Sequence, residues 1–325
     1  MKRLIPPVAL FFLAPVIAEL LSGSAPPVEF FRPIGLAVLT ILYGGGAILV
    51  REITIRWEKG WVSLLVLGAA YGIIEEGLMV KSFFDPNWTD LGILGTYGRW
   101  AGVNWVWSIE LTFYHAVISI AIPISIVELI FTNKRNDAWV GQRGLIILSV
   151  LFIADVAFGY FLLATYRPGA IPYFLTVLVV IALILFAWRL PRQAFTLKAV
   201  IGRHPFWFWL TGFLGTVLFF LIFWGLPTTV LHPSLTIIVG IGLMIFIGWT
   251  VIRISGSGVA WTEMHRFALV AGPLTPFILL APIHELDATR PDNTTGMTLV
   301  GLAMLVFLLW LWWWVRRNLA KVQGS

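Results

Sequence analysis

Ten apolar stretches, each close to the length that crosses a bilayer, restrict most strongly how this chain can fold. A transmembrane helix needs about 20 mostly apolar residues, because the hydrocarbon core is about 30 Å thick and a helix rises about 1.5 Å per residue. The predicted spans are residues 4–21, 33–50, 61–80, 105–131, 144–164, 171–188, 206–226, 234–252, 264–282 and 296–315. The sequence therefore predicts an all-α fold, a polytopic integral membrane bundle of ten transmembrane helices.

The composition supports lipid as the solvent for most of the exterior. Hydrophobic residues make up 59% of the 325 residues, only 12% are charged, and the mean hydropathy is +0.91. A soluble domain carries about 25% charged residues, so half of that cannot cover a globule of this size. The net charge of +6 comes from short basic runs between apolar stretches, which excludes a nucleic-acid partner. Because Cys is absent, disulfides, thiolate nucleophiles and Cys-ligated metals are excluded as well.

The distribution of basic residues predicts the orientation of the spans. With the N-terminus inside, the cytoplasmic segments hold all but five of the 22 Lys and Arg residues. Basic residues accumulate on the cytoplasmic side of membrane proteins. The exceptions, on the other side, are Arg32, Lys81, Arg99, Arg167 and Arg290. We therefore expect a multi-pass protein of the cell membrane with both termini and loop 189–205 in the cytoplasm, and with 81–104 and 283–295 outside.

The first apolar stretch has an alternative interpretation. Basic residues at its start and small residues at 22–25 resemble a cleavable signal peptide. Glu19 interrupts the apolar run and Pro26-Pro27 follows the expected cut, so we favour retention as the first span. The whole chain, 1–325, is then one membrane domain. Its polar-site spans lie in 1–165 and 264–295, and its scaffold spans lie in 171–252 and 296–315.

Ionisable residues at membrane depth are the candidates for function, because each costs a few kcal/mol to insert. Five lie inside the third, fourth and fifth spans: Glu75, Glu76, Glu110, His115 and Asp155. Glu19 and His284 approach from the outer ends of the first and ninth spans. In the predicted orientation these groups gather in the outer half of the bilayer. Buried acids also serve to join helices, so a structural role is the alternative.

The third span indicates how one carboxylate is accommodated. Gly68, Gly72 and Glu76 repeat every four residues, so they share a helix face that a neighbouring helix can approach closely. Glu75 points about 100° away, with Tyr71 one turn earlier as a candidate hydrogen-bond donor. Lys81, at the outer end of the same helix, is a candidate counter-charge.

Three further polar features have less specific interpretations. Glu110 and His115 are five residues apart, which places them on different sides of one helix. Arg51-Glu52 and Glu128 lie near predicted cytoplasmic helix ends, where snorkelling would explain them. The run from Tyr43 to Gly46 predicts close helix packing, since no Lys-Ser/Thr follows it as in a phosphate loop.

The connection from 81 to 104 is long and rich in aromatic residues and glycine. One interpretation is an interfacial loop on the outer leaflet. The other is a lid or re-entrant segment over a cavity, roofed by the aromatic residues around Phe83, Phe84 and Trp88.

The third and fourth spans resemble the CAAX-protease and bacteriocin-processing membrane proteins. Glu75-Glu76 looks like the Glu-Glu pair of that family, and Leu111 to His115 is similar to its Phe-x-x-x-His motif, with Leu for Phe. The resemblance implies a polytopic helical fold in which Glu and His activate a water molecule. The chain departs from the family at Val80, where Arg is expected, and no His is followed four residues later by Asn or Asp.

Two main functions remain open at this stage. In an intramembrane hydrolase, Glu75 or Glu76 is the general base and His115 its partner. In a proton- or cation-coupled transporter, the same carboxylates bind the driving ion. A non-catalytic membrane subunit is the third possibility, and the substrate or solute is not readable from the sequence. The predicted supporting residues are Lys81, Glu110, Asp155, His284 and Asp287, and any divalent metal cofactor would bind Glu76, His115 and His284.

Overall fold

The computed structural model describes residues 5–192, 203–229, 231–256 and 261–323, and these form a bundle of ten apolar helices. The helices are α1 (Ile5–Leu21), α2 (Pro33–Arg56), α3 (Trp61–Met79), α4 (Trp105–Ile130), α5 (Gln142–Leu163), α6 (Ala170–Arg189), α7 (Pro205–Thr228), α8 (Pro233–Ile254), α9 (Glu263–Leu286) and α10 (Met297–Gln323). Within the described ranges nine of them are long and apolar enough to cross a membrane, and α1 is shorter. The predicted fold class is confirmed. Residue 4 of the first predicted span and most of loop 189–205 lie outside the described residues.

Proline and polar caps set where several helices begin. Pro33, Pro205 and Pro233 open α2, α7 and α8, where the missing N–H of proline would have no helical partner in any case. The side chain of Asn104 caps α4 by accepting a hydrogen bond from the backbone N–H of Trp107 at 3.1 Å. These caps fix the ends of the helices and hence the depth of the side chains along them.

Helices α3 and α4, which carry four of the five ionisable residues at membrane depth, are among the most enclosed, whereas α5, which carries Asp155, is not. In the most apolar 18-residue stretch of each helix, 78% of the residues are buried in α4 and 56% in each of α2 and α3. The corresponding fraction is 11% for α5, α6 and α8, whose exposed side chains are mainly Leu, Ile, Val and Phe. Such apolar exteriors are what contact with lipid tails requires. Helices α2, α3 and α4 therefore form the centre of the bundle and enclose polar side chains, and helices with apolar surfaces lie around them.

Glycine lets the central helices approach one another closely. A Cβ added at Gly68 would lie 3.0 Å from the backbone of Ala116, and one at Gly72 would lie 2.7 Å from the Cβ of His115. The predicted close approach along the Gly68–Gly72 face is thus confirmed, with α4 as the neighbour. Gly44 also packs closely, against the carbonyl of Phe11 on α1, as the glycine run predicts.

The connection between α3 and α4 packs onto the bundle. It contains a short helix at Thr89–Gly95 and an antiparallel hairpin of β1 (Arg99–Trp100) and β2 (Val103–Asn104). Four of its apolar side chains are buried at 0–4% exposure among those of α3, α6 and α7: Phe83, Phe84, Leu91 and Leu94. The guanidinium of Arg99 donates to the carbonyl of Phe84 at 2.7 Å. This segment covers the ends of α3 and α4, as a lid does, and does not lie loosely on a leaflet.

The polar groups near the opposite end of the bundle are buried, so the snorkelling interpretation is wrong. Arg51 and Glu52 are both 0% exposed, and Glu128 is 5% exposed. The Arg51 guanidinium contacts Glu52 at 3.1 Å and Glu128 at 3.3 Å and lies 3.3 Å from the centre of the Trp139 ring. Charged groups that are buried without a partner strongly destabilise a protein. Here the contacts pair all three side chains in an internal ion network.

Candidate functional site

Four helices leave regular α geometry at the depth where the ionisable residues meet. A π-helical turn occurs in each of α1, α2, α3 and α4, at Val16–Leu21, Thr40–Gly45, Ile74–Met79 and His115–Ala121. These turns contain Glu19, Tyr43, the Glu75-Glu76 pair and His115. A π turn inserts one extra residue and changes the direction in which neighbouring side chains point, and such turns are frequent at functional sites. The turn in α3 brings Glu75 and Glu76 to one site, although regular helical spacing separates them.

His115 lies between the two carboxylates of α3. Its Nε2 is 3.2 Å from Oε1 of Glu76, and its Nδ1 is 3.4 Å from Oε2 of Glu75. Nδ1 also lies 3.0 Å from the hydroxyl of Ser119, one turn further along α4. The imidazole is 2% exposed and Glu75 is 4% exposed. A protonated ring donates to both carboxylates at once, whereas a neutral ring donates to one of them.

Tyr43 joins a third carboxylate to this cluster. Its hydroxyl is within hydrogen-bond distance of both Glu19 on α1 and Glu75 on α3. A phenol has one proton to donate, so it satisfies one ionised carboxylate, and the second contact needs a proton on the other carboxyl group. A row of contacts therefore runs from Glu19 through Tyr43, Glu75 and His115 to Glu76, and it holds at least one proton beyond that of the phenol. Its Glu75–His115 link is an ion-pair contact and not a hydrogen bond.

Glu76 is more exposed than Glu75 and His115. Its side chain is 12% exposed, compared with 5% for Glu75 and 3% for His115. Its Oε2 accepts a hydrogen bond from Ser82, in the segment that covers the helix ends. The Ser82 hydroxyl in turn accepts from the indole N–H of Trp107 at 2.9 Å. The covering segment thus orients the more exposed of the two α3 carboxylates.

The other predicted membrane-depth acids lie outside this cluster. Glu110 accepts a hydrogen bond from the indole of Trp224 on α7 at 2.6 Å, so Glu110 and His115 face different neighbours, as their spacing predicts. Asp155 on α5 is 6% exposed, and its Oδ2 has no hydrogen-bond partner among the described residues.

Two residues were predicted as partners of the carboxylate pair. Lys81 is not their counter-charge, because its ammonium donates to the carbonyls of Tyr160 and Ala164, each at 2.7 Å. Burial, with the nearby Arg167, lowers the pKa of Lys81 to about 8. The ring of Tyr71 lies beside those of Tyr43 and His115, and the hydroxyl that is within hydrogen-bond distance of Glu75 is that of Tyr43.

The ninth helix does not bring its polar end into the cluster. His284 packs against Gly23, whose added Cβ would lie 2.7 Å from the His284 Nδ1. Asp287 is exposed and accepts hydrogen bonds from the Thr289 hydroxyl at 2.6 Å and backbone at 2.9 Å, which lower its pKa. These contacts form the turn after α9 and leave both residues apart from Glu75, Glu76 and His115.

The cluster offers a ligand set for a divalent metal ion. One oxygen of Glu75, one of Glu76 and a ring nitrogen of His115 lie within 4.8 Å of one another. Neighbouring ligands of a tetrahedral Zn²⁺ are about 3.3 Å apart, since the bonds are about 2.0–2.1 Å long. Oε2 of Glu75 has no hydrogen-bond partner in the described part of the chain, which leaves it available. Of the predicted ligands, Glu76 and His115 belong to this group, Glu75 replaces His284, and the residues present fit such an ion.

Several members of the cluster were not predicted as site residues. Tyr43, Ser82, Trp107 and Ser119 are small polar or aromatic residues that membrane interiors tolerate at low cost, so their presence alone is not informative. Glu19 was recognised as a membrane-depth acid but was not placed in the site. The glycine run after Tyr43 indicates close packing of α2 at this depth but does not indicate where the phenol points.

Comparison with known proteins assigns the chain to a group without assigning an activity. Residues 8–253 match an uncharacterized membrane protein family. No curated protein and no solved structure gives a significant match.

Proposed function

This chain belongs to that uncharacterized membrane protein family, and we propose that it is an intramembrane hydrolase that cleaves a peptide or lipid bond. The observation that carries the proposal is the position of His115, whose two ring nitrogens lie within 3.4 Å of Glu75 and Glu76. A general base must be within hydrogen-bond reach of the proton that it removes, directly or through one water. A carboxylate and a histidine in contact, with the carboxylate of Glu76 partly exposed, fit that requirement.

The geometry assigns different roles to the two carboxylates. Glu76, the more exposed one, takes a proton from water while the water oxygen bonds to the substrate carbonyl carbon. That proton then passes to the leaving nitrogen or oxygen as its bond to carbon breaks. His115 holds Glu76 through Nε2, and Glu75 with Ser119 fixes the imidazole from the other side. A divalent ion bound by the same three side chains would lower the pKa of the attacking water.

The proposal agrees with the resemblance to the CAAX-protease and bacteriocin-processing family in part. The residues that carry the resemblance, Glu75-Glu76 and His115, are the ones in contact. The second histidine of that family has no counterpart here, because His284 lies apart from the cluster. Glu19 and Tyr43 extend the cluster in a direction that the family pattern does not describe.

A proton-coupled transporter is the second candidate, and one observation favours it. The row from Glu19 to Glu76 is a chain of hydrogen-bonding groups with a proton to spare. A transporter also needs a path that opens to both sides in turn. In the described structure a buried apolar layer separates this row from the Arg51 network, formed by Ala47, Leu64, Leu67, Ile120 and Ile124. That layer favours one-sided access and hence the hydrolase.

We also propose that the cluster lies in the outer half of the cell membrane, with both termini in the cytoplasm. The support is the excess of basic residues on one side of the spans. Glu76 lies three residues from the end of α3, about 5 Å along the helix axis, so the covering segment would face the outside.

The test is hydrolysis in proteoliposomes that contain the full chain. A library of synthetic single-span peptides and a set of phospholipid esters are incubated in water labelled with heavy oxygen, and products are analysed by mass spectrometry. We expect heavy oxygen in a new carboxyl group with the native protein and a loss of about 10²–10⁴-fold with His115→Asn. A chelator arm shows whether a metal is needed. Absence of labelled product from every peptide and ester would contradict the proposal.

A further inference from the structure

A pocket lies at the other end of the central helices. It has a volume of about 180 Å³, and Arg51, Lys59, Arg135 and Arg266 are its basic lining residues. Glu128 is the acidic one. Trp61, the first residue of α3, also lines it and precedes Glu75 by 14 residues, or about 21 Å of helix. The pocket is therefore separate from the cluster around His115, and its role is independent of the proposed hydrolysis.

The charges around the pocket do not cancel. Arg51 is committed to Glu52 and Glu128, and Arg135 forms a two-pronged ion pair with Glu263. The four lining cations thus face three carboxylates, which leaves at least one positive charge. A low-dielectric pocket with an excess cation attracts a singly charged anion.

The basic residues that line this space have N–H groups beyond those that their protein partners take up. Nε of Arg135 is buried and has no hydrogen-bond partner among the described residues. Arg266 donates through Nη1 to Glu128 at 3.2 Å, and its guanidinium lies 5.6 Å from the centre of the Trp61 ring. The ammonium of Lys59 donates to the carbonyl of Leu190 at 2.7 Å and has two further N–H groups. An unpaired buried donor is destabilising, so a ligand that accepts from it is favoured.

We propose that this pocket binds the phosphate group of an anionic ligand, a phosphodiester monoanion such as a phospholipid headgroup. Arginine fits phosphate oxygens with two N–H groups at once, and lysine adds a point charge. The pocket lies at a helix end beside the 40%-exposed Trp61, the level at which tryptophan meets lipid headgroups. Basic pockets between helix ends bind such headgroups. A lipid phosphate and a free phosphate share this chemistry, and the experiment separates them.

The experiment measures binding to the purified full-length protein in detergent by native mass spectrometry. The probes are short-chain phosphatidylglycerol, the zwitterionic phosphatidylcholine of the same chain length, and inorganic phosphate. Arg266→Gln and Lys59→Gln remove a donor each, and Arg253→Gln removes an exposed basic residue outside the pocket as the matched control. Thermal unfolding of each variant shows that it is folded.

We expect phosphatidylglycerol to bind the native protein more tightly than phosphatidylcholine, and its affinity to fall about tenfold, or about 1.4 kcal/mol, in Arg266→Gln and Lys59→Gln. The Arg253→Gln control should bind as the native protein does. The same losses for inorganic phosphate, without preference for the lipid, would support the pocket with a free anion as its ligand. The proposal would be overturned if, for each probe, the two pocket variants and the control bound with the same affinity.

Discussion

Replacing Gly72 by Ala tests whether the close approach of α3 and α4 sets the geometry of the cluster. The added Cβ would lie 2.7 Å from the Cβ of His115, and ordinary carbon contacts are about 3.5–4.0 Å. The two helices must therefore separate locally by about 1 Å. If the imidazole moves with its Cβ, its present 3.2 Å contact with Glu76 lengthens to about 4 Å, which is no longer a hydrogen bond.

The magnitude follows from two opposing effects. Overpacking costs about 1–3 kcal/mol, whereas exchanging Gly for Ala inside a helix returns about 1 kcal/mol. We expect Gly72→Ala to lower the free energy of unfolding by about 0–2 kcal/mol. Gly45→Ala is the matched control, since nothing lies within 4 Å of a Cβ added there, and it should gain up to about 1 kcal/mol. A 1 Å misplacement of a catalytic group can cost about 10²-fold in rate, so hydrolysis should fall by about that factor in Gly72→Ala alone.

The assay is reversible unfolding in mixed micelles for the two variants and the native protein, followed by the hydrolysis assay on the same preparations. If Gly72→Ala were as stable as Gly45→Ala and retained full activity, the inferred contact between α3 and His115 would be refuted.

Three further predictions concern the rest of the bundle. Arg51→Met should lower the free energy of unfolding by about 3–5 kcal/mol, because it leaves buried carboxylates without a partner. The control Arg56→Met, at an exposed residue, should lower it by less than about 1 kcal/mol. Equal losses in thermal unfolding would contradict the buried network. In this Cys-free chain, Thr289→Cys should react with an impermeant maleimide in intact cells and Asn133→Cys only after lysis, and the reverse result would invert the orientation. The pKa of Lys81 falls from 10.5 to about 8 on folding, so between pH 8 and pH 10.5 the unfolded chain binds one more proton than the folded chain. The free energy of unfolding of the native protein, relative to that of Lys81→Met, should therefore rise with pH across that window. A difference that does not change with pH would show that the ammonium is not destabilised by burial.

The fold could be predicted closely, because lipid imposes a simple rule on length and composition. Each of the ten predicted spans corresponds to a helix, with ends that differ by a few residues at most positions. Helix ends set by proline or an Asn cap are readable from the sequence. The extension of α2 to Arg56 occurs where Arg51 and Glu52 are buried and paired, and α10 continues to Gln323 through the exposed Arg316 and Arg317. Hydropathy alone treats such charged residues as the end of a span.

The site could be predicted only in part, because it depends on π turns and on contacts between distant helices. Glu75, Glu76 and His115 were predicted from their cost in lipid, and the structure brings them together. Their facing directions could not be derived from a spacing of 3.6 residues per turn, since each of these helices has a π turn at that depth. The contact of Tyr43 with two carboxylates depends on the packing of three helices, and no local pattern in the sequence encodes it.

The most direct test of the proposed hydrolysis compares a carboxylate that contacts His115 with one that does not. Glu76 contacts His115, and Glu110 contacts only the indole of Trp224 among the described residues. Both Glu76→Gln and Glu110→Gln keep an amide that can hydrogen-bond, so both proteins should fold. The account predicts that the rate of heavy-oxygen incorporation falls by about 10²–10⁴-fold in Glu76→Gln and stays near the native rate in Glu110→Gln. Native activity in Glu76→Gln would contradict it.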